Sequence, residues 1–145
     1  MREAGEGLRL QYEKAPYGPY SKSLRHLLSL VDGHFISGFG AEEDPDKPIE
    51  LLPGVADFAS SFIKAHPDTQ SRFDRVAKRI HGFETPFGME LLATVHWVCA
   101  KEGATTAREA IERTYAWNER KKSFDPNQIR LAHQIFVSQN WLSAH

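Results

Sequence analysis

The chain has 145 residues, of which 41% are hydrophobic and 11% aromatic, and 18 basic against 19 acidic side chains leave a formal net charge of −1. This length and apolar content suffice for one compact domain. The balanced charge excludes the broad basic surface that is typical of proteins binding nucleic acid over most of one face. A single cysteine excludes an internal disulfide.

The N-terminal segment predicts neither a signal peptide nor a membrane anchor. It reads MREAGEGLRLQ, without an apolar core, and no later run approaches the ~18 apolar residues of a membrane span. We therefore expect a soluble protein of the cytoplasm with no membrane partner. Residues 1–11 are expected to be disordered or the remnant of a linker from an upstream domain, and residues 12–145 to form a single domain.

Three amphipathic helices are predicted in the first half of the chain. The first opens at Pro19 and Ser21 and closes at Gly33, the second begins at Pro53, and the third runs from Asp68 to His81. The apolar positions of the second and third helices are expected to face inward: Val55, Phe58, Ala59, Phe62, Ile63, Phe73, Val76, Ala77 and Ile80. Residues 34–40 could form a short strand or an extended turn, and could pair with residues 49–51 or with Trp141 and Leu142.

Three further helices are predicted in the second half. One runs from Pro86 to about Lys101, and others are capped by Thr105 or Thr106 and by Asp125. In the first of these we expect Leu91 and Trp97 to point away from a buried face that consists of Met89, Leu92, Val95, Val98 and Cys99. The predicted fold is mainly α, a compact bundle of about six helices with room for one small β-hairpin or sheet.

The last three helices, followed by Trp141 and Leu142, have the order seen in winged-helix domains. In that arrangement the last helix is the recognition helix, and its polar residues would contact duplex DNA: Asn127, Gln128, Arg130, His133 and Gln134. The cations Arg120, Lys121 and Lys122 lie nearby, although they would equally complement a helix C-terminus. The near-neutral net charge makes DNA binding the alternative rather than the first prediction.

Local catalytic and metal-binding motifs are absent from the sequence. There is no phosphate-binding glycine loop, no nucleophile elbow and no paired His-Glu zinc signature. Glu84, Glu90 and His96 form the only compact polar set, and Glu90 and His96 are spaced too far apart for one helix face. The histidines lack ligand spacing, so we expect no catalytic residue, no metal and no cofactor.

Several segments, in order from about Tyr12 to Leu142, carry a resemblance to a known family. They are YGPY, SLRHLL, DGHFISGFG, IELLP, RFDRVAKRIHGFETPFGMELLATVHWV, AWNERK and NWL. Together they resemble the C-terminal domain of the antitoxin DarG, whose partner DarT is a toxin that ADP-ribosylates bases in single-stranded DNA. Full-length members also carry an N-terminal macrodomain that removes the ADP-ribose mark. This chain has no segment resembling that macrodomain, so we expect it not to be an enzyme.

The resemblance implies an antitoxin domain that binds a DarT-type toxin and covers its single-stranded DNA groove. Such a groove is lined by cations and base-stacking aromatics, so a protein that blocks it should present carboxylates beside flat apolar side chains. The predicted partner-binding residues are Tyr17, Tyr20, Phe83, Glu84 and Phe87, with the acidic residues Glu42, Glu43, Asp44 and Asp46 as a supplement. The alternative is that the aromatic residues pack helix starts against the core, and that the acidic run is simply solvated.

Overall fold

The computed structural model describes residues 7–40 and 48–141. In this part of the chain the α-helices are α1 (Lys22–Val31), α2 (Val55–Lys64), α3 (Pro67–Ile80), α4 (Pro86–Ala100), α5 (Ala107–Trp117) and α6 (Pro126–Ser138). The strands are β1 (Glu13–Ala15), β2 (Gly18–Tyr20), β3 (Ile36–Ser37) and β4 (Glu50–Leu51), and a 3₁₀ helix spans Glu119–Ser123. The predicted mainly α fold with six helices is confirmed.

The described residues divide into two compact units. The first unit contains residues 7–12 and Ser21–Arg75, and the second contains Glu13–Tyr20 and residues 76–141. The boundary between them falls within α3, after Arg75. The single domain expected over residues 12–145 stays a prediction.

The first unit combines α1, α2 and a small antiparallel sheet. Ser21 caps α1 by accepting a hydrogen bond from the Leu24 N–H, as its position before the helix predicts. Strand β3 pairs with β4, in the register Ile36 opposite Leu51, so residues 34–40 pair with the segment around residue 50. Of the two pairings that the sequence left open, the described structure contains the local one.

No residue of α1, α2 or α3 is buried. The expectation that Phe58, Phe62 and Phe73 face inward is therefore wrong, because their side chains are 61%, 52% and 48% exposed. An amphipathic pattern requires only that one helix face be apolar, and among the described residues that face stays partly open in the first unit.

The hydrophobic core lies in the second unit and is organised by α4. Its members are Leu91, Leu92, Val95, Val98, Cys99, Ala104, Ala110, Phe124, Ile129, Ala132 and Phe136. Met89, expected inside, is 40% exposed, whereas Leu91, expected outside, is 2% exposed. The prediction was wrong at both positions because α4 is surrounded on several sides, so its apolar periodicity does not indicate which residues are covered.

Helix α4 begins where the sequence predicts, and a glycine sets the geometry of its start. Thr85 accepts a hydrogen bond from the Gly88 N–H, and Pro86 occupies the first turn, where no backbone donor is needed. A Cβ atom at Gly88 would lie 2.6 Å from the Phe83 carbonyl oxygen. The loop that carries Phe83 therefore packs against α4 only because residue 88 has no side chain.

Both α5 and α6 begin with a capping box. In α5 Thr106 and Glu109 exchange hydrogen bonds, and in α6 Asp125 and Gln128 do so. In the described chain no strand follows α6, which leaves the winged-helix arrangement of α4 to α6 a prediction. Among the described helices none is both long and apolar enough to cross a membrane.

Candidate partner-binding surface

The sequence did not predict the hairpin formed by β1 and β2, which carries Tyr17 in its turn. Three consecutive backbone carbonyls of this hairpin accept hydrogen bonds from side chains at and after the end of α5. Trp117 Nε1 donates to the Ala15 oxygen at 3.0 Å, Asn118 Nδ2 to the Pro16 oxygen at 3.0 Å, and Lys121 Nζ to the Tyr17 oxygen at 2.9 Å. Because every one of these carbonyls is held, the turn has a defined position.

A buried ion pair lies directly beneath this turn. The Lys121 side chain is 0% exposed, and its ammonium group donates to Glu90 Oε1 at 2.8 Å. Arg120 also binds Glu90, with Nε 3.2 Å from Oε1 and Nη2 3.1 Å from Oε2. Glu90 on α4 thus joins two cations of the 3₁₀ helix and, through Lys121, the hairpin.

The protonation of this pair follows from burial and hydrogen bonding. Burial acts to raise the pKa of Glu90, but hydrogen bonds from Arg120 and Lys121 outweigh it and keep that pKa below its ordinary value. Burial lowers the pKa of the Lys121 ammonium, against the opposing effect of the Glu90 carboxylate. Lys121 Nζ also lies 5.4 Å from the ring centroids of both Trp117 and Phe124, which helps to stabilise a cation removed from water.

Two aromatic side chains are exposed around the buried pair. Tyr17 is 66% exposed, and the Arg120 guanidinium lies 4.4 Å from its ring centroid. Phe87 is 43% exposed and packs edge to face on Phe124, with the centroids 5.2 Å apart and the rings at 77°. We name this group, Tyr17 and Phe87 with Arg120, Glu90 and Lys121, the Tyr17–Phe87 surface.

The other predicted contact residues of the second unit take different positions. Tyr20 is half-buried in β2 opposite Glu13, and Phe83 is half-buried against the core. Glu84 is exposed and folds back onto its own loop, where its carboxylate accepts from the Gly82 N–H at 2.6 Å and lies 3.3 Å from His81 Nδ1. Hydrogen bonds from the backbone N–H groups of Glu84 itself and of Gly82 lower the pKa of this carboxyl group.

In the structure, Tyr17 contacts Arg120 and Phe87 packs on Phe124, next to the buried Glu90–Lys121 pair. Phe83 instead packs against the core, and Glu84 binds its own loop. Glu42, Glu43, Asp44 and Asp46 lie outside the described residues. A contact with a partner stays a prediction for all of these positions.

The candidate DNA-contact residues of α6 are arranged differently from a row of free polar side chains. His133 is 8% exposed and belongs to the buried face. Gln128 accepts the Asp125 N–H, and Asn127 accepts a hydrogen bond from Arg130 at 2.8 Å. Leu131 and Val137 are 52% and 51% exposed on the same helix, so its outer surface is partly apolar. These features do not favour α6 as a recognition helix.

The polar residues considered for catalysis do not form one site. Glu90 is engaged by two cations, Glu84 caps its own loop, and the His96 ring lies edge to face against Phe136 at 5.3 Å. Burial raises the pKa of the Cys99 thiol to about 11, so this cysteine is protonated at neutral pH. Within residues 7–40 and 48–141, no group of three or more His, Cys, Asp or Glu side chains could hold a metal ion.

Arg120 and Lys121 are the residues that sequence reasoning placed least well. The segment ERKKS looks like a solvated charged run, yet its central lysine is fully buried. One signal was present: Trp117 stands just before it, and tryptophan is on average a highly buried residue. The pairing with Glu90 joins residues distant in sequence, so no local pattern predicts it.

Comparison with known proteins finds relatives over nearly the whole chain, although no protein-family model matches. A protein from Thermus aquaticus named DNA ADP-ribosyl glycohydrolase is 39% identical over 142 residues, which cover 98% of this chain and 39% of that protein. Proteins of the same name from Mycobacterium bovis and Mycobacterium tuberculosis are 36% identical over 125 residues, 82% of this chain and 36% of each relative. The chain thus spans about two fifths of the length of these relatives.

These names contradict the expectation that the chain is not an enzyme. That expectation used the absence of a macrodomain and of local catalytic motifs, whereas proteins that contain the homologous segment are named as glycohydrolases. This chain is similar to one part of proteins named DNA ADP-ribosyl glycohydrolase.

Proposed function

We propose that this chain binds a DarT-type DNA ADP-ribosyltransferase and neutralises it by covering its single-stranded DNA groove. The resemblance to the DarG C-terminal domain supports this, since it extends from about Tyr12 to Leu142. The name of the relatives supports it indirectly, because it refers to ADP-ribosyl groups on DNA, the product of such a toxin. A macrodomain in the longer protein would be a second partner of this segment.

The observation that carries the proposal is the Tyr17–Phe87 surface. Tyr17 and Phe87 are exposed, while the residues beneath them are fixed by the Glu90–Lys121 pair and by three held carbonyls. An exposed aromatic side chain on a rigid support loses little conformational freedom on binding. Tyrosine anchors of this kind commonly contribute most of the binding energy at an interface.

The groove of a protein that binds single-stranded DNA has the complementary chemistry. It contains aromatic side chains that stack on bases and cations that follow the phosphates. The exposed rings of the Tyr17–Phe87 surface suit the first component. The acidic residues Glu42, Glu43 and Asp44 would suit the second, and we include them in the proposal as the electrostatic part of the contact.

The test is size-exclusion chromatography of the chain with a catalytically inactive DarT-type toxin, followed by titration of single-stranded DNA into any complex. We expect a shared peak that DNA dissociates by competition. The double variant Tyr17→Ala/Phe87→Ala should lose the shared peak. A matched control is Phe58→Ala/Phe62→Ala in the first unit, which removes two rings that are 61% and 52% exposed. If both double variants bind like the unchanged chain, the proposed surface is wrong.

A second candidate function is hydrolysis of ADP-ribosyl groups from DNA, which the name of the relatives favours. The assay incubates ADP-ribosylated single-stranded DNA with increasing amounts of the chain and measures released ADP-ribose. Release that scales with the amount of chain would support this activity. No release with the chain in excess over the substrate would overturn it for this chain.

The alternative prediction of a winged-helix repressor has a separate readout. It requires binding to duplex operator DNA that weakens steeply as salt is added, because bound phosphates release counterions. Variants of Arg130 and Gln134 on α6 would reduce that binding, whereas variants of Tyr17 and Phe87 would not. Toxin binding and operator binding therefore depend on different surfaces of the second unit.

A further inference from the structure

Helix α2 contacts the rest of the first unit along a narrow strip. Val55 and Ile63 are half-buried, and the other residues of this helix are exposed. Two of the exposed residues are aromatic: Phe58 is 61% exposed and Phe62 is 52% exposed. Residues four positions apart lie on the same side of a helix, so the two rings form one apolar face. Exposed apolar faces of this kind commonly mark a surface at which another protein docks.

Both rings are positioned before any partner binds. The ring centroids of Phe58 and Phe35 are 6.0 Å apart, and the Phe62 ring stacks on His66 with the centroids 4.2 Å apart. His66 Nδ1 also lies 2.7 Å from the Phe62 carbonyl oxygen, which holds the histidine at the end of the helix. Aromatic side chains that are already ordered lose little conformational entropy when they dock.

The charges on α2 indicate which partner fits this face. Asp57 lies in the first turn and Lys64 in the last turn, and both residues are exposed, without an ion-pair partner among the described residues. They are seven positions apart and therefore lie on one side of the helix, along the same edge of the aromatic face. If two copies of α2 pack antiparallel, each Asp57 faces the Lys64 of the other copy.

A small residue lies where two such helices would cross. Ser61 is near the middle of α2, between the aromatic residues and the charged residues. Its short side chain allows two helix axes to approach closely. A two-fold axis near Ser61 brings each end of the helix to the opposite end of its copy, so the surface is complementary to itself. We name Asp57, Phe58, Ser61, Phe62 and Lys64 the α2 face.

We infer that the α2 face is a self-association surface, on which two copies of this chain pack antiparallel about a two-fold axis near Ser61. The Phe58 and Phe62 rings supply the apolar contact, and Asp57 and Lys64 supply two symmetric ion pairs. One side of a 10-residue helix covers less area than the roughly 800 Å² per partner of a standard interface, so the dimer should be weak. This inference does not rest on the proposed toxin binding.

The first test is charge reversal, with sedimentation velocity of the full chain measured from micromolar to millimolar concentration. We expect a monomer–dimer equilibrium that Asp57→Lys and Lys64→Asp each weaken about tenfold or more, because like charges then face each other. The double variant Asp57→Lys/Lys64→Asp should associate about as tightly as the unchanged chain. This recovery cannot come from a more stable helix, since each reversed charge opposes the helix dipole.

The second test is a disulfide across the two-fold axis. Ser61→Cys should form a covalent dimer under mild oxidation, because a residue near the axis lies beside the same residue of the other copy. The matched control is Ala56→Cys, an exposed position on the opposite side of α2, which should stay monomeric. Cys99 is buried and is present in both variants, so it does not explain a difference between them.

Other outcomes would overturn the inference in distinguishable ways. A chain that is monomeric at every concentration forms no dimer, and association that neither charge reversal changes has its contact elsewhere. Equal cross-linking of Ser61→Cys and Ala56→Cys would contradict the antiparallel geometry, as would a double reversal that fails to restore association. If the chain is monomeric alone and Phe58→Ala/Phe62→Ala weakens binding to an inactive DarT-type toxin, the α2 face belongs to that complex instead.

Discussion

The two units of this chain use the same kind of helix and bury it to very different extents. Every buried hydrophobic residue of the described chain lies in the second unit, with α4 contributing five of them: Leu91, Leu92, Val95, Val98 and Cys99. The first unit has helices with equally regular apolar faces, yet no residue of α1 or α2 is buried. A regular apolar face therefore indicates where a helix could pack, and says nothing about whether the chain packs there.

This contrast predicts unequal stability within one chain. Burial of apolar surface contributes roughly 25 cal/mol per Å², so the unit that contains the core should unfold at the higher denaturant concentration. The first unit should exchange its amide hydrogens faster. Substitutions in the second unit should consequently change the free energy of unfolding more than substitutions in the first unit.

The largest effect is expected from the buried ion pair of the second unit. Glu90→Gln removes the negative charge that compensates the buried Lys121 ammonium, and we expect a loss of about 3–5 kcal/mol in the free energy of unfolding. Denaturant unfolding measures it. The control Glu112→Gln breaks the exposed Arg108–Glu112 pair and should change the midpoint little. Equal effects of the two variants would contradict a structural role for the buried pair.

The next effect is a cavity in the core. Ile129 is 0% exposed, so Ile129→Ala should lower the free energy of unfolding by about 2–5 kcal/mol. Phe58→Ala in the first unit removes a larger side chain that is 61% exposed, and should cost within about 0.5 kcal/mol. Thermal and denaturant unfolding of both variants test the comparison between the units. A larger loss for Phe58→Ala would show that the face of α2 is covered in solution.

Helix caps provide a smaller and more local comparison. Thr106 accepts the Glu109 N–H at the start of α5, and Ser21 accepts the Leu24 N–H at the start of α1. Replacing either with alanine should cost about 1 kcal/mol of helix stability. Hydrogen exchange should show the effect of Thr106→Ala throughout the second unit and that of Ser21→Ala only around α1. Identical exchange patterns would mean that the two units unfold as one.

The smallest effect concerns pH. Hydrogen bonds from the Thr105 N–H, the Thr105 hydroxyl and the Thr106 N–H lower the pKa of Glu109 from 4.5 to about 2. A carboxyl group with a depressed folded pKa stabilises the fold above its unfolded pKa, and this contribution is lost as the pH falls from about 4.5 to 2. An NMR titration of the Glu109 side chain checks the value, and Glu109→Gln should flatten the acid limb of the stability curve. An apparent pKa near 4.5 would contradict the capping geometry.

Much of the fold could be predicted because its signals are local. Ser21, Thr85, Thr106 and Asp125 cap α1, α4, α5 and α6, each close to the residue predicted, since a cap is defined by residues within one helical turn. The β1–β2 hairpin escaped prediction because its strands are three residues each and contain Pro19, a residue that weakens a strand signal. Its position depends on side chains that follow α5, far away in sequence.

The candidate site divides in the same way. Its exposed rings, Tyr17 and Phe87, could be chosen from the sequence because each stands beside a proline or glycine at the edge of an element. Glu90, Arg120 and Lys121 could not be chosen from the sequence. A charged residue type does not indicate whether its side chain is buried in an ion pair or exposed to water. Local sequence patterns therefore predicted the exposed aromatic residues of the site, but not the buried ion pair beneath them.

The amino-acid sequence by itself determined the helices, their caps and the resemblance that runs along the chain, because these depend on residue type and spacing. Only the tertiary structure decided that α4 lies in the core with Leu91 inside and Met89 outside, that Lys121 is buried against Glu90, and that Tyr17 and Phe87 share one support. The physical reason is that burial and ion pairing are properties of contacts between distant segments. A single helix face or a charged run is compatible with several such contacts, and packing selects among them.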